Sequence, residues 1–265
     1  MKSAANQATP DEAVQFYRDG MKLLREHDVP FLVGGAFAMA LYTGIVRQTK
    51  DFDLFIPALD IDRVLEIFAR NGYRTERTHP HWLAKVFRGD HLIDFIYRAG
   101  NGLCDVEDSW FARAHTAEVV GVTAQVCAPE EIIWMKAYIM ERERFDGADV
   151  AHLLLHCAKT IDWAHLLNRF GPDWRLLLSH LVLFGFIYPS ERQRIPGTIM
   201  EKLISRLRSE ADTAETGRIC RGTLLSRAQY LHDVREAGFH DARSEERCRI
   251  TEAELEAWTA LRPRE

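Results

Sequence analysis

The sequence of 265 residues is short of cysteine, of long apolar runs and of excess positive charge. Its five cysteines show no Cys-x-x-Cys spacing and are too scattered for a disulfide framework, which indicates a reducing compartment, the cytoplasm. The longest apolar stretch, residues 176–187, is interrupted by Ser179 and His180, so we expect no membrane span. A formal net charge of −5 argues against a protein dominated by nonspecific binding to nucleic-acid phosphates.

An ordinary globular composition is present instead. Hydrophobic residues make up 47% of the chain and charged residues 28%, which suffices for one large domain or two small ones with buried cores. Residues 1–127 mix strand patterns of period two with helical segments, residues 128–209 are helical by period, and residues 210–265 form a helical or partly irregular tail. The sequence therefore predicts an α+β fold, with an N-terminal mixed β-sheet flanked by helices and a C-terminal helical bundle.

The most informative motif is a pair of acids in the apolar stretch 51–56. One residue separates Asp51 from Asp53, so a strand places both carboxylates on one face while Phe52 and Leu54 point to the other. Two carboxylates held so close repel each other unless a cation lies between them, and hard oxygen ligands favour Mg²⁺. The pair therefore predicts a site for Mg²⁺ or Mn²⁺, and the alternative is a strand end whose acids are merely solvated.

A glycine pair lies upstream, between a short apolar strand at 31–33 and a helix at 36–42. Gly34 and Gly35 would let main-chain N–H groups approach an anion and would direct the helix N-terminus at it. A plain strand-to-helix turn is the commonest use of such a pair, and only the downstream acids favour the phosphate-binding interpretation. Together the two motifs predict a site for a nucleoside triphosphate (NTP).

Phosphoryl-type transfer with two metals needs a third ligand, and Asp94 is the best candidate. Residues 82–97 are predicted to form two strands joined by a turn, and alternation projects Asp94 as a lone carboxylate from an apolar strand. Burying such a group without a partner is costly, which indicates a function. Asp90 and Asp105 lie nearby in the sequence and are the alternatives.

These motifs, in this order, resemble the polymerase-β-type nucleotidyltransferase superfamily. The glycine pair precedes an Asp-x-Asp strand, and a third acid follows on a later strand. More narrowly, the run Arg47-x-Thr49-x-Asp51-x-Asp53 and the helical remainder resemble the small bacterial nucleotidyltransferases related to AbiEii abortive-infection toxins. The resemblance covers roughly the first 160 residues.

The resemblance implies a division of labour along the chain. Residues 1–127 would be the nucleotidyltransferase catalytic domain, residues 128–209 a helical domain forming the other wall of the cleft, and residues 210–265 a tail of unknown role. In the resembling enzymes the stretch with Arg47 and Thr49 lies beside the triphosphate. A lysine on the first helix after the sheet, here Lys136, can reach a phosphate.

The implied activity is transfer of a nucleoside monophosphate from an NTP to a hydroxyl acceptor, with release of pyrophosphate. Asp51, Asp53 and Asp94 would be the catalytic metal ligands, and Gly34 and Gly35 would cradle the phosphates. The acceptor could be a small molecule, a tRNA end or a protein side chain. The toxin relatives add an antitoxin as a candidate partner, and no membrane partner is expected.

Two other interpretations stay open at this point. A noncatalytic relative would bind nucleotide or a protein partner through the same cleft; Ala36, which stands where the superfamily often carries Ser, and the unexplained tail motivate it. A helical scaffold with an incidental acidic strand is the second, and it predicts that Asp94 lies far from Asp51 and Asp53.

Overall fold

The core of the fold is a seven-stranded mixed sheet built from the first half of the chain. The computed structural model describes residues 11–211 and 217–260. The strands of the sheet are Leu32–Val33 (β1), Asp51–Phe55 (β2), Arg74–His79 (β3), Leu83–Arg88 (β4), His91–Ile96 (β5), His115–Val119 (β6) and Val122–Val126 (β7). Their spatial order is β3-β4-β5-β2-β1-β7-β6, with β2 parallel to β5 and antiparallel to β1. The predicted α+β class is confirmed.

Helices flank these strands in the chain and dominate after them. Their bounds are Asp11–Glu26 (α1), Gly35–Thr43 (α2), Ile61–Arg70 (α3), Asp108–Ala112 (α4), Pro129–Ala137 (α5), Gly147–Cys157 (α6), Trp163–Phe170 (α7), Trp174–Ile187 (α8), Gly197–Ser209 (α9), Leu231–Arg235 (α10) and Glu252–Ala260 (α11). Within residues 11–211 and 217–260, no helix has the length and apolar character needed to cross a membrane.

One face of the sheet is buried by α1 and α3 through aromatic packing. The ring of Tyr17 on α1 stacks on Phe52 of β2 with centroids 4.7 Å apart. Phe68 on α3 packs on Phe95 of β5 at 5.4 Å. Because side chains alternate along a strand, the acids on β2 and β5 are directed to the opposite face. The apolar side chains of β2 and β5 therefore pack on the helices, and the acidic side chains on the other face are left for other contacts.

The described chain divides into two units. The first takes in the chain up to Ala128 together with Arg247–Glu254, and the second takes in Pro129–Glu246 and the residues from Leu255 onward. In the first unit, the Arg249 N–H donates to the Gly102 carbonyl at 2.7 Å, and the Arg98 guanidinium donates to the Arg249 carbonyl at 2.7 Å. Part of the tail predicted for residues 210–265 thus belongs to the first unit and contacts the loop that follows β5.

The second unit is a helical bundle with buried polar contacts in its core. Asp162 caps α7 by accepting a hydrogen bond from the His165 N–H at 3.0 Å, as its position before the helix favours. Glu131 on α5 is fully buried, and its Oε1 accepts from the His165 ring at 2.7 Å and from the Arg169 guanidinium at 3.1 and 3.0 Å. The charge of Arg169, whose Nε lies 2.9 Å from Glu131 Oε2, offsets the cost of placing this carboxylate in an apolar interior.

The segment Ile219–Asp241 contains a short parallel strand pair, Ile219–Cys220 (β8) and His240–Asp241 (β9), which the sequence patterns did not indicate. Arg243, which follows β9, is 1% exposed. Its guanidinium binds both oxygens of Asp241, at 3.0 and 2.6 Å, and donates to the Arg227 carbonyl at 3.1 Å. Burial alone would raise the pKa of Asp241, but the hydrogen bonds and charge of Arg243 lower it.

We expect Arg243→Met to lower the free energy of unfolding of the second unit by about 3–5 kcal/mol, because it leaves a part-buried carboxylate without its cation. Chemical denaturation followed by circular dichroism measures the loss. Arg235→Met is the matched control, since Arg235 is exposed on α10 and its loss should change stability by less than about 0.5 kcal/mol. Equal effects of the two substitutions would contradict the assignment of Arg243 as a buried anchor.

A buried histidine in the second unit predicts acid sensitivity. Burial lowers the pKa of His180 below its ordinary value of 6.5, while the Ala137 carbonyl, 3.0 Å from Nε2, raises it to a smaller extent. The folded state therefore binds the proton less readily than the unfolded state, so stability falls as pH drops below about 6.5. In His180→Gln this part of the loss should disappear, whereas His232→Gln, on an exposed histidine, should keep it. Unfolding midpoints measured between pH 7.5 and 5 check this expectation.

Candidate functional site

Three acids from two neighbouring strands meet on the face of the sheet opposite α1 and α3. Asp53 on β2 lies directly opposite Asp94 on β5, and Asp51 lies two residues earlier on the same face. One carboxylate oxygen from each acid lies within 4.8 Å of the others. Asp94 is buried, and Asp51 and Asp53 are half-buried. This geometry contradicts the helical-scaffold interpretation, which required Asp94 to be distant.

The glycine pair lies directly against this cluster. The Gly34 N–H donates to the Asp53 carbonyl at 2.9 Å, and Gly35 then begins α2. A Cβ on Gly35 would overlap the Asp53 carboxylate, and one on Gly34 would overlap the Phe55 ring. Gly35 also has φ +50°, which side chains rarely adopt. The pair is therefore required by the close approach of α2 to β2, beyond what a plain turn needs.

Negative charge and burial act together on the groups around the cluster. Burial raises the pKa of Asp94, the hydrogen bond and charge of Lys85 oppose this rise, and the charge of Asp51 adds to it. Burial, followed by the charges of Asp51, Asp53 and Asp94, raises the pKa of Tyr17 to about 12. Concentrated negative potential of this kind favours a bound cation.

Lys85 on β4 is a member of the cluster that the sequence patterns did not single out. Its ammonium donates to Asp94 Oδ1 at 2.6 Å, and it lies directly opposite Asp94 in the antiparallel β4–β5 pair. The available signal was the one that identified Asp94, a lone charged residue between the buried Ala84 and Val86 on an inner strand.

The segment between α2 and β2 holds two further predicted residues. The Thr49 hydroxyl contacts the Asp51 carboxylate and accepts from the Asp51 N–H at 3.3 Å, so it helps to fix the first acid. Arg47 is exposed two residues earlier. The predicted contacts of both residues with a triphosphate stay predictions.

Lys136 lies in the second unit, in the last turn of α5. Its ammonium binds the carboxylates of Asp146 at 2.7 Å and Asp149 at 2.8 Å. Burial alone would raise the pKa of Asp146, but the hydrogen bonds and charges of Arg144 and Lys136 lower it. The role in phosphate binding predicted for Lys136 stays a prediction, and its local role is to neutralise two buried acids.

The sequence pattern of one protein family, described as "Uncharacterised nucleotidyltransferase", matches residues 12–181. The chain belongs to this nucleotidyltransferase family. The resemblance to the polymerase-β-type superfamily and the predicted enzyme class are thereby confirmed, and the narrower link to AbiEii-like toxins stays a prediction. No curated protein matches the chain.

Several solved structures are similar to this nucleotidyltransferase at low identity. The antibiotic-resistance factor ANT(2'')-Ia is 18% identical, with 65% of this chain and 96% of that chain covered and a TM-score of 0.44. The lincosamide antibiotic adenylyltransferase LnuA is 14% identical, and the match covers 55% of this chain and 97% of that chain with a TM-score of 0.40. An antigenic nucleotidyltransferase-like protein from Paracoccidioides brasiliensis is 16% identical, and the match covers 70% of this chain and 93% of that chain with a TM-score of 0.46.

The donor set of this family member fits a hard divalent cation. Asp51, Asp53 and Asp94 offer only carboxylate oxygens, with no sulfur or imidazole among them. Oxygen ligands of this kind suit Mg²⁺ and Mn²⁺ better than zinc or copper. The carboxylates are also close enough to share one cation or a pair. The residues present therefore fit the metal that the sequence predicts.

Proposed function

We propose that the protein transfers a nucleoside monophosphate from an NTP to a hydroxyl acceptor, with a divalent metal at Asp51, Asp53 and Asp94. The observation that carries this proposal is the meeting of three carboxylates, within 4.8 Å of one another, against the glycine that begins α2. Metal-binding acids and a phosphate-binding turn are the two parts that phosphoryl-type transfer requires of a protein.

Each acid has a distinct part in this proposal. Asp51 and Asp53 hold the metal and keep a triphosphate in register with it. Asp94 completes the ligand set on the acceptor side and accepts the proton of the attacking hydroxyl. When bound, the metal offsets phosphate charge and lowers the pKa of that hydroxyl. The hydroxyl oxygen then bonds to the α-phosphorus, the bond from the α-phosphorus to the bridging oxygen breaks, and pyrophosphate leaves.

The phosphates of the donor are held by the start of α2. The first N–H groups of a helix have no intrahelical acceptors, and the helix dipole adds positive potential there. Gly34 and Gly35 bring this end of α2 against Asp53, so the main-chain donors and the carboxylates are neighbours. Arg47 is proposed to contribute further positive charge, and Thr49 to keep Asp51 oriented.

Calorimetry of each NTP, with Mg²⁺, with Mn²⁺ and with a chelator, tests the donor half of this proposal. We expect binding in the micromolar to millimolar range that needs the metal. Triphosphate binding that is equally tight in the chelator would contradict the proposal and favour the noncatalytic alternative. Comparison of the four bases also gives the base preference.

Label transfer tests the acceptor half. The purified protein is incubated with NTPs labelled at the α-phosphorus and with a dialysed cell extract. Label on small molecules, on RNA or on protein distinguishes the three acceptor classes, and label on protein or tRNA would also justify a search for an antitoxin. Release of pyrophosphate in proportion to transferred label is the expected stoichiometry, and its absence would contradict the reaction.

A further inference from the structure

Lys85 occupies a position where a charged side chain is costly. It lies in the middle of β4, and only 21% of its side chain is exposed. β4 is an inner strand, because it pairs with β3 on one side and β5 on the other. A lysine is retained at such a site only when its ammonium has a partner.

The partner is the third acid of the cluster. The cross-strand register places Asp53, Asp94 and Lys85 in one row across the sheet. The ammonium lies 2.6 Å from Asp94 Oδ1, and the side chains of Lys85 and Asp94 are 21% and 10% exposed. A charge-assisted hydrogen bond of this length between two largely buried groups restricts the rotation of the carboxylate.

We infer that Lys85 is a positioning residue that holds Asp94 for the transfer reaction. By occupying Oδ1, it leaves Oδ2 as the oxygen available to the metal and to the acceptor proton. The inference rests on the proposed function, because it assigns to Lys85 a contribution made through Asp94 and through no direct contact with the nucleotide.

The arrangement separates donor binding from the step in which Asp94 takes part. Asp53 lies next to Gly35 and the start of α2, whereas Lys85 is on the strand beyond Asp94. Loss of Lys85 should therefore spare donor binding and impair the step that needs Asp94. Groups that orient metal ligands from the next layer typically change activity by about 10- to 100-fold.

A double-mutant cycle tests this assignment. The variants are Lys85→Met, Asp94→Asn and the two combined, with Lys85→Arg as the conservative replacement. We expect Lys85→Met to transfer label about 10- to 100-fold more slowly while its affinity for Mg²⁺ and ATP, measured by calorimetry, changes less than about 3-fold. Because Lys85 acts through Asp94, the double variant should be no slower than Asp94→Asn. Lys85→Arg should recover part of the lost rate.

The control is Lys22→Met, which removes an exposed lysine from a 3.6 Å pair with Glu26 and should leave rate and affinity unchanged. Should Lys85→Met fail to fold, Lys85→Gln, which keeps a neutral donor, takes its place with the same expectation. Wild-type rates in Lys85→Met, parallel losses of affinity and rate, or additive losses in the double variant would overturn the inference. If the wild type itself transfers no label, the proposed function has failed; if only Asp94→Asn is slow, the inference alone has failed.

Discussion

Asp53→Asn is expected to abolish metal-dependent triphosphate binding while leaving the protein at least as stable as the wild type. The substitution removes one of the three carboxylates proposed to hold the metal. Losing one electrostatic group at such a site also lowers the rate of the reaction by about 10²- to 10³-fold. It also relieves repulsion between carboxylates that lie within 4.8 Å of one another without a metal. Calorimetry with Mg²⁺ and ATP measures the first effect, and thermal unfolding in a chelator measures the second.

The opposite directions of the two effects make this prediction sharp. Substitution of a residue that only supports the fold would lower the stability of the protein and its triphosphate binding together. Asp90→Asn is the matched control, because Asp90 is an exposed acid in the turn between β4 and β5 and should leave both quantities unchanged. Metal-dependent binding that survives in Asp53→Asn and in Asp51→Asn would remove the basis of the proposed function.

Gly35→Ala is expected to lower triphosphate affinity by about 10- to 100-fold, a loss of roughly 1.4–2.8 kcal/mol in binding. The added methyl group would overlap the Asp53 carboxylate, so either the acid rotates out of the cluster or the start of α2 moves away from it. Either movement separates the two halves of the proposed site. Calorimetry with Mg²⁺ and ATP measures the change.

Gly72→Ala separates this effect from backbone strain. Gly72 also has a positive φ, +81°, but a Cβ there meets no atom within 4 Å. We expect Gly72→Ala to cost about 1 kcal/mol of stability and nothing in affinity. If the two variants bind equally well, the close approach of Gly35 to Asp53 has no part in nucleotide binding.

The faces of β2 and β5 could be predicted because alternation is a local property of the sequence. The apolar residues at 52 and 54 and the acids at 51 and 53 are directed to opposite sides, as the period of two requires. The pairing of β2 with β5 could not be derived in the same way. α3, β3 and β4 intervene in the chain, and the register that sets Asp53 opposite Asp94 depends on contacts among all of them.

Other features were missed because their sequence signal is weak or absent. Strands of two residues, such as β8 and β9, have no period to detect. The buried pair of Arg243 and Asp241 looks like any charged surface segment until the fold encloses it. Lys85 differs, since the argument that selected Asp94 applies to it equally. A lone acid and a lone base on neighbouring inner strands are therefore best examined as a candidate ion pair.

The contacts of Arg247–Glu254 with the loop after β5 make the first unit discontinuous in sequence. Arg98 and Gly102, in the loop that follows the strand of Asp94, are hydrogen-bonded to Arg249. A fragment that stops at the end of α9 would keep every acid of the cluster, yet it would lose the hydrogen bonds between Arg249 and this loop. Excision of the sheet as an independent module would therefore require grafting the distant octapeptide back onto it.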